Sequence, residues 1–199
     1  LLVSLYLWDK GFYSLPDALR YVSFNFISIG LASGYANADF NQWPLIASLW
    51  MLLLSHLLAN SGSTGGGIKM IRAIVLFKYS RREITLLLHP NAVRKVKVNG
   101  RTVSEQTALT VLGFIFVYFS TVVLFTFLMM ASGLDFLTSL SATSSNITNA
   151  GPGLAGVGPS ASYAPLSDVQ KWLAMTVMLL GRLEIFTVLV LLTPAYWRK

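Results

Sequence analysis

Two long apolar stretches dominate the pattern along the chain, at residues 108–131 and 169–192. Each is close to the ~20 residues that a helix needs to cross the hydrocarbon core of a bilayer. Shorter apolar runs lie at residues 1–8, 43–58 and 73–77. The pattern predicts an integral membrane protein. The first run lacks the basic region of a signal peptide, so we interpret it as the end of a span in a longer polypeptide.

The order of apolar and polar segments repeats once along the chain. In each half a span is followed by a short amphiphilic stretch, a polar segment that contains glycine, and a second span. The short stretches are SLPDALRYVSFNFISIG and LDFLTSLSATSSNIT, and the polar segments are LASGYANADF and NAGPGLAGVGP. The first short stretch begins with a helix cap, Ser14 followed by Pro16 and Asp17. Because neither stretch is long enough to cross a bilayer, the pattern predicts a half-helix and a re-entrant loop in each half.

The predicted re-entrant loops have properties that suit a cation. The C-terminal end of a half-helix directs about half a negative charge toward the membrane centre. The backbone after it offers carbonyl oxygens that can replace a hydration shell, and glycine permits the backbone angles that such a segment requires. We therefore predict a cation filter formed by Ser33, Gly34 and Tyr35 in the first half and by Ala150, Gly151 and Pro152 in the second. The alternative is that both segments are loops on the outer surface.

The apolar run that begins at residue 43 is interrupted by the sequence ANSGSTGGGIKMIR. When the halves are aligned on their filter glycines, Gly65 and Arg182 occupy equivalent positions (residues 34 to 65 and 151 to 182). A charged residue at membrane depth is costly and normally faces protein or water. We therefore predict a gate below the filter in which Arg182 binds the glycine backbone. Its predicted members are Gly62, Gly65, Gly66, Gly67, Arg182 and Glu184.

A structural explanation of the charged residues in the last span is the alternative to the gate. Arg182 and Glu184 could neutralise each other, although residues two apart on a helix face each other poorly. Each of the two side chains is therefore expected to have a further partner.

Composition and charge agree with a membrane protein. The chain is 54% hydrophobic and 12% charged, with a mean hydropathy of +0.62, whereas about a quarter of the residues in a soluble domain are charged. The basic residues concentrate in residues 69–101, where only Glu83 opposes them. Short loops rich in Lys and Arg stay in the cytoplasm. This segment is therefore predicted to be cytoplasmic, and the net charge of +7 does not indicate nucleic-acid binding.

The sequence does not have the features of an enzyme. It contains no cysteine, which excludes thiolate nucleophiles, thiolate zinc sites and disulfides. The stretch GSTGGGIK differs from a phosphate-binding loop because Ile68 separates Gly67 from Lys69. We predict no enzyme activity and no cofactor. His56, a lone imidazole in an apolar run, is expected to be packed or hydrogen-bonded, with a metal or proton-relay role as the alternative.

Five segments together resemble the third and fourth repeats of Trk/Ktr-type potassium transporters. They are SGYANADFNQWP, GSTGGGIKMIR, LLLHPNAVRKVKVNG, NAGPGLAGVGP and MLLGRLEIF with the later LTPAYWRK. The resemblance implies K⁺ as the transported ion, a filter glycine in every repeat and a glycine-rich intramembrane loop as the gate. It also implies two preceding repeats in the same protein, a homodimer, and a cytoplasmic nucleotide-binding regulatory protein as partner.

These observations predict an all-α integral membrane protein of potassium-channel-like helix–pore-loop–helix repeats with a broken transmembrane helix. Residues 1–80 would form the third repeat, 81–103 a basic cytoplasmic connector and 104–199 the fourth repeat. The predicted function is channel-like potassium uptake across the cytoplasmic membrane. The alternatives are a secondary cation transporter coupled to Na⁺ or H⁺, and a membrane subunit that does not conduct.

Overall fold

The computed structural model describes residues 1–58, 66–92 and 95–198, and these are mostly helical. The helices of the first half are α1 (Leu2–Asp9), α2 (Leu15–Gly30), α3 (Leu45–Leu57) and α4 (Met70–Leu88), with a 3₁₀ turn at Phe40–Gln42. Those of the second half are α5 (Glu105–Ala131), α6 (Phe136–Thr148), α7 (Asp168–Arg182), α8 (Ile185–Leu192) and α9 (Pro194–Trp197), with a 3₁₀ turn at Ala155–Val157. A hairpin of β1 (Lys97–Val98) and β2 (Arg101–Thr102) connects the halves.

Side-chain caps stand at the beginning of four helices, α2, α5, α6 and α7. The Ser14 hydroxyl accepts the backbone N–H of Asp17 at the start of α2, as the SLPD sequence predicts. Ser104 caps α5 and Asp135 caps α6 in the same way. A capping box formed with Gln170 starts α7. Each cap satisfies a backbone donor that has no partner within its helix.

The two halves share a core. In the first half α2 packs against α1 and α3, and Leu7, Ile29 and Met51 are fully buried there. Two residues of the second half, Ala150 and Leu154, belong to this same cluster. In the second half α6 packs between α5 and α7 and also contacts α3. The segment after α6 is therefore held by apolar side chains of both halves.

One helix among the described residues, α5, is long and apolar enough to cross a membrane by itself. Its 27 residues correspond to about 40 Å of helix. Phe116 and Phe127 on this helix are 71% and 63% exposed, which suits a surface that contacts lipid or other membrane helices. Helices α7 and α8 pass the same test together but are bent by 106° at their junction. The predicted span over residues 169–192 is therefore not one continuous helix: it is interrupted at Glu184, which has a φ of 60°.

The connector between the halves begins with a helix. Helix α4 runs without interruption to Leu88 and crosses the predicted division between residues 80 and 81. The hairpin that follows turns at Asn99 and Gly100, which have φ of 49° and 78°. An Asn-Gly pair with both φ positive favours a tight two-residue hairpin turn. The division of the chain into repeats itself stays a prediction.

Candidate functional site

The short helices α2 and α6 end in the same structure. Each terminates with a left-handed residue two positions before a predicted filter glycine, Ala32 (φ 55°) and Asn149 (φ 58°). The next residue donates its N–H to a carbonyl five positions earlier, Ser33 to Ser28 and Ala150 to Ser145, both at 2.9 Å. This arrangement is a Schellman motif, which satisfies carbonyls at the end of a helix. The repeat in the sequence is thus also present in the backbone geometry.

The two predicted filter segments come together in the fold. Gly34 has a φ of 79°, and a Cβ placed on it would lie 2.6 Å from the carbonyl oxygen of Ala150. The Pro152 ring also lies close to Gly34. Gly151 has a φ of 93° and open space where its Cβ would be. Position 34 therefore needs glycine, because the backbone has a positive φ there and a side chain would collide with the Ala150 carbonyl oxygen.

Serine hydroxyls of α2 and α6 donate hydrogen bonds to backbone carbonyls of both predicted filter segments. The Ser28 Oγ donates to the Tyr35 carbonyl at 2.5 Å, and the Ser145 Oγ donates to the Gly151 carbonyl at 3.0 Å. The Tyr163 hydroxyl also donates to the Gly151 carbonyl, at 3.1 Å. Burial raises the pKa of the Tyr163 hydroxyl, so this group stays protonated and able to donate. Sequence reasoning missed Tyr163, since no periodicity or motif marks a residue in an irregular segment.

The side chain of Asn41 joins the 3₁₀ turns of the two halves. Its Oδ1 accepts the backbone N–H of Ala155 at 2.8 Å, and its Nδ2 donates to the Ala155 carbonyl at 3.4 Å. Ala155 has a φ of 52°, which exposes both of its backbone groups to this one amide. A single side chain thus bridges segments that are 114 residues apart in sequence.

Where it is described, the glycine-rich sequence lies against the end of α6, which precedes the second predicted filter segment. Gly62 and Gly65 lie outside the described residues. A Cβ on Gly66 would overlap the carbonyl oxygen of Ile147, near the end of α6. A Cβ on Gly181 of α7 would overlap the same carbonyl. Gly67 has a φ of 102°, and the next N–H, that of Ile68, bonds to the His56 carbonyl at 2.9 Å.

The charged residues of the last span lie at its break. Arg182 is exposed and ends α7, while Glu184, with a φ of 60°, precedes α8. The Glu184 carboxylate accepts Lys69 Nζ at 2.7 Å and Arg72 Nη2 at 3.1 Å. The Arg72 guanidinium also lies 4.0 Å from the centre of the Phe114 ring. The expectation that Glu184 has a partner other than Arg182 is confirmed. The sequence predicted that Lys69 and Arg72 reach the cytoplasmic face or contact a partner, and it did not identify Glu184 as that partner.

A buried hydrogen bond joins α3 of the first half to α5 of the second. The Nδ1 of His56 in α3 lies 2.6 Å from the hydroxyl of Tyr118 in α5. Both residues are buried, and their rings meet edge to face at 5.7 Å. The prediction that His56 is packed or hydrogen-bonded is confirmed, since it is both. Among the described residues there is no group of three or more His, Asp or Glu side chains that could hold a metal ion.

Comparison with known proteins identifies relatives along nearly the whole chain. The family model for TrkH, a cation transport protein, matches residues 9–199. The Trk system potassium uptake protein TrkH of Halomonas elongata is 41% identical over 203 residues, covering 100% of this chain and 41% of that protein. The corresponding protein of Vibrio parahaemolyticus is 37% identical over 188 residues, covering 94% of this chain and 38% of its own length.

A solved structure supports the same relationship. The crystal structure of the potassium transporter TrkH from Vibrio parahaemolyticus matches with a TM-score of 0.91 and 35% identity, over 99% of this chain and 42% of that chain. The chain therefore spans about two-fifths of the length of these relatives. The family description names transport, in agreement with the prediction of no enzyme activity. From the family model and these relatives, we conclude that the chain belongs to the TrkH family of cation transport proteins.

Proposed function

We propose that this chain forms the third and fourth repeats of a potassium uptake protein in the cytoplasmic membrane. Residues 1–80 and 104–199 would be the repeats, and residues 81–103 the cytoplasmic connector. The observation that carries the proposal is the contact between Gly34 and the Ala150 carbonyl, since it joins two segments that follow identically terminated helices. The printed names of the relatives, which describe potassium uptake, support K⁺ as the ion.

The proposed filter acts by replacing water around the cation. Helices α2 and α6 direct their partially negative C-terminal ends toward the place where the glycine segments meet. Backbone carbonyls of Ser33, Gly34 and Ala150 would offer oxygens to a K⁺ that has lost part of its hydration shell. The Tyr35 and Gly151 carbonyls accept hydroxyl donors, so they anchor the segments. Two further repeats of the same protein would supply the other half of the oxygen ring.

The proposed gate lies where the interrupted spans meet α6. Gly66 and Gly181 let two backbones approach the Ile147 carbonyl, directly below the second filter segment. The ion pairs of Glu184 with Lys69 and Arg72 hold the breaks of both spans together at this level. Movement of the glycine loop away from α6 would open the path, with Arg182 at its edge. The family resemblance adds a homodimer and a cytoplasmic nucleotide-binding regulatory protein as proposed partners.

A coupled secondary transporter is the second candidate function. The specific observation that favours it is the break between α7 and α8, which are bent by 106°, since transporters use broken helices around a central site. Flux through such a transporter saturates and depends strictly on a second ion. Single-channel currents in a reconstituted bilayer would support conduction, and strict Na⁺ or H⁺ dependence would support coupling. Absence of any flux would support a subunit that does not conduct.

Growth of a potassium-uptake-deficient strain tests the proposal. The complete protein that contains this sequence should restore growth at low K⁺, and Gly34→Ala and Gly151→Ala should each reduce ⁸⁶Rb⁺ or K⁺ uptake. Gly133→Ala is the matched control, because Gly133 has a φ of 102° and no atom within 4 Å of its Cβ position but lies in the turn between α5 and α6. Equal losses in all three variants would show a folding effect and contradict the filter.

A further inference from the structure

A pair of hydroxyls in contact with each other lies beside each filter segment. One member is a serine of the preceding helix, Ser28 or Ser145, and the other member comes from a different position in each half. In the first half, the Ser33 Oγ lies 3.1 Å from the Ser28 Oγ and donates to the Ser28 carbonyl. In the second half the residue equivalent to Ser33 is Ala150, which has no hydroxyl. There the Tyr163 hydroxyl lies 3.0 Å from the Ser145 Oγ. A residue twelve positions beyond Gly151 thus supplies the second hydroxyl, and it donates to the Gly151 carbonyl, whereas the Ser33 hydroxyl donates to a carbonyl of α2.

The contacts of Tyr163 form a closed group around one carbonyl. The Tyr163 hydroxyl, the Ser145 Oγ and the Gly151 carbonyl oxygen lie within 3.0–3.1 Å of one another. The Asn146 Nδ2 approaches the Tyr163 hydroxyl at 3.4 Å and can donate to it. With that donor present, the tyrosine hydrogen is available for the Gly151 carbonyl, and the serine hydrogen can go to the same oxygen. This carbonyl oxygen then accepts two hydroxyl hydrogens.

We infer that Tyr163 is a positioning residue that sets the carbonyl direction of the second filter segment and so contributes to the discrimination between K⁺ and Na⁺. The inference rests on the proposed function of the glycine segments. Gly151 has no side chain, and no atom lies within 4 Å of its Cβ position. Steric contacts at this position therefore do not fix the orientation of its peptide group. The two hydroxyls provide that restraint. Without Tyr163, the segment can contract around a smaller cation, and the preference for K⁺ over Na⁺ decreases.

The test is Tyr163→Phe in the complete protein, with K⁺ and Na⁺ uptake measured separately. The expected result is normal abundance in the membrane and about a fivefold rise in the ratio of Na⁺ to K⁺ uptake, the factor that corresponds to the loss of one hydrogen bond of about 1 kcal/mol. Tyr13→Phe is the matched control, because the Tyr13 hydroxyl accepts the Trp43 Nε1 hydrogen at 3.2 Å and does not contact a filter segment. This control should leave the ratio unchanged.

A compensating substitution separates positioning from general structural support. Ala150→Ser places a hydroxyl where the first half has Ser33, and in the Tyr163→Phe background it should restore part of the K⁺ preference. Unchanged selectivity in Tyr163→Phe, or a proportional loss of uptake for both cations without rescue, would overturn the inference. If the complete wild-type protein shows no K⁺ preference, the proposed function fails and this inference with it.

Discussion

Lys69 and Glu184 precede α4 and α8 in nearly the same backbone conformation, and their side chains form an ion pair at 2.7 Å. Their φ and ψ angles are 65° and 134° for Lys69 and 60° and 124° for Glu184. A positive φ in a residue with a long side chain costs on the order of 1–3 kcal/mol and persists only where its surroundings impose it. The residues that directly precede α4 and α8 are therefore alike in backbone conformation and bonded to each other.

Removing the Glu184 carboxylate should loosen the contact between the two breaks. Glu184→Gln leaves Lys69 and Arg72 without their anionic partner, and we expect a double-mutant cycle of Lys69→Met with Glu184→Gln to give a coupling energy of about 1 kcal/mol, since these side chains are only partly exposed. Thermal unfolding in detergent measures it. Glu83→Gln is the control, because Glu83 pairs with the adjacent Arg82 and the two residues belong to the same helix. A coupling energy of zero would contradict a link between the breaks.

The glycines around the Ile147 carbonyl should tolerate no side chain. Gly66→Ala and Gly181→Ala each add a methyl group that overlaps this oxygen, and we expect each to destabilise the protein by about 1–3 kcal/mol and to reduce cation uptake. Gly113→Ala on α5 is the control, since its nearest neighbour lies 4.0 Å away and alanine favours helix by about 1 kcal/mol. Normal uptake and thermal stability in Gly66→Ala would show that the backbones do not meet there.

The buried hydrogen bond between His56 and Tyr118 should contribute to the stability of the contact between the halves. Tyr118→Phe leaves the His56 Nδ1 buried without its partner, and we expect a loss of about 1–3 kcal/mol in the free energy of unfolding. His56→Phe combined with Tyr118→Phe should recover part of this loss, because both polar groups are then removed. Tyr79→Phe is the control, since its hydroxyl makes only a long, exposed contact with Glu105 at 3.5 Å. Equal stability of Tyr118→Phe and wild type would rule out the bond.

The cap of α6 should make stability depend on acidic pH. Hydrogen bonds from Thr138 hold the pKa of the Asp135 carboxyl below its ordinary value of about 3.9. The folded state therefore binds the proton less tightly than the unfolded state, and the carboxylate stabilises the protein above that ordinary pKa. This contribution is lost as the pH falls from about 3.9 through the lower pKa of the folded state.

Asp135→Asn keeps an acceptor for the cap but removes the titration. Thermal unfolding at a series of pH values from neutral to acidic should show a smaller acid-dependent decrease in this variant than in the wild type. Asp135→Ala should cost about 1 kcal/mol at neutral pH, because the N–H of Thr138 loses its partner. Identical pH profiles for the wild type and Asp135→Asn would show that another group causes any acid sensitivity.

Local features of the fold were predictable because they depend on neighbouring residues. The cap at Ser14 and the short helix α2 follow from residues within one turn of each other. The apolar character of α5 follows from the composition of one segment. The break between α7 and α8 was not predictable in this way, since the apolar pattern continues through it and only the conformation of Glu184 interrupts the helix.

The sequence by itself determined the membrane class, the repeated order of elements and the glycines that we propose for a filter. Only the tertiary structure decided which groups meet: the Ala150 carbonyl with Gly34, the Tyr163 hydroxyl with the Gly151 carbonyl, and Lys69 with Glu184, 115 residues away. Hydrophobic period and capping act within a few residues, whereas these contacts arise where separate elements pack and their polar groups must find partners across the core.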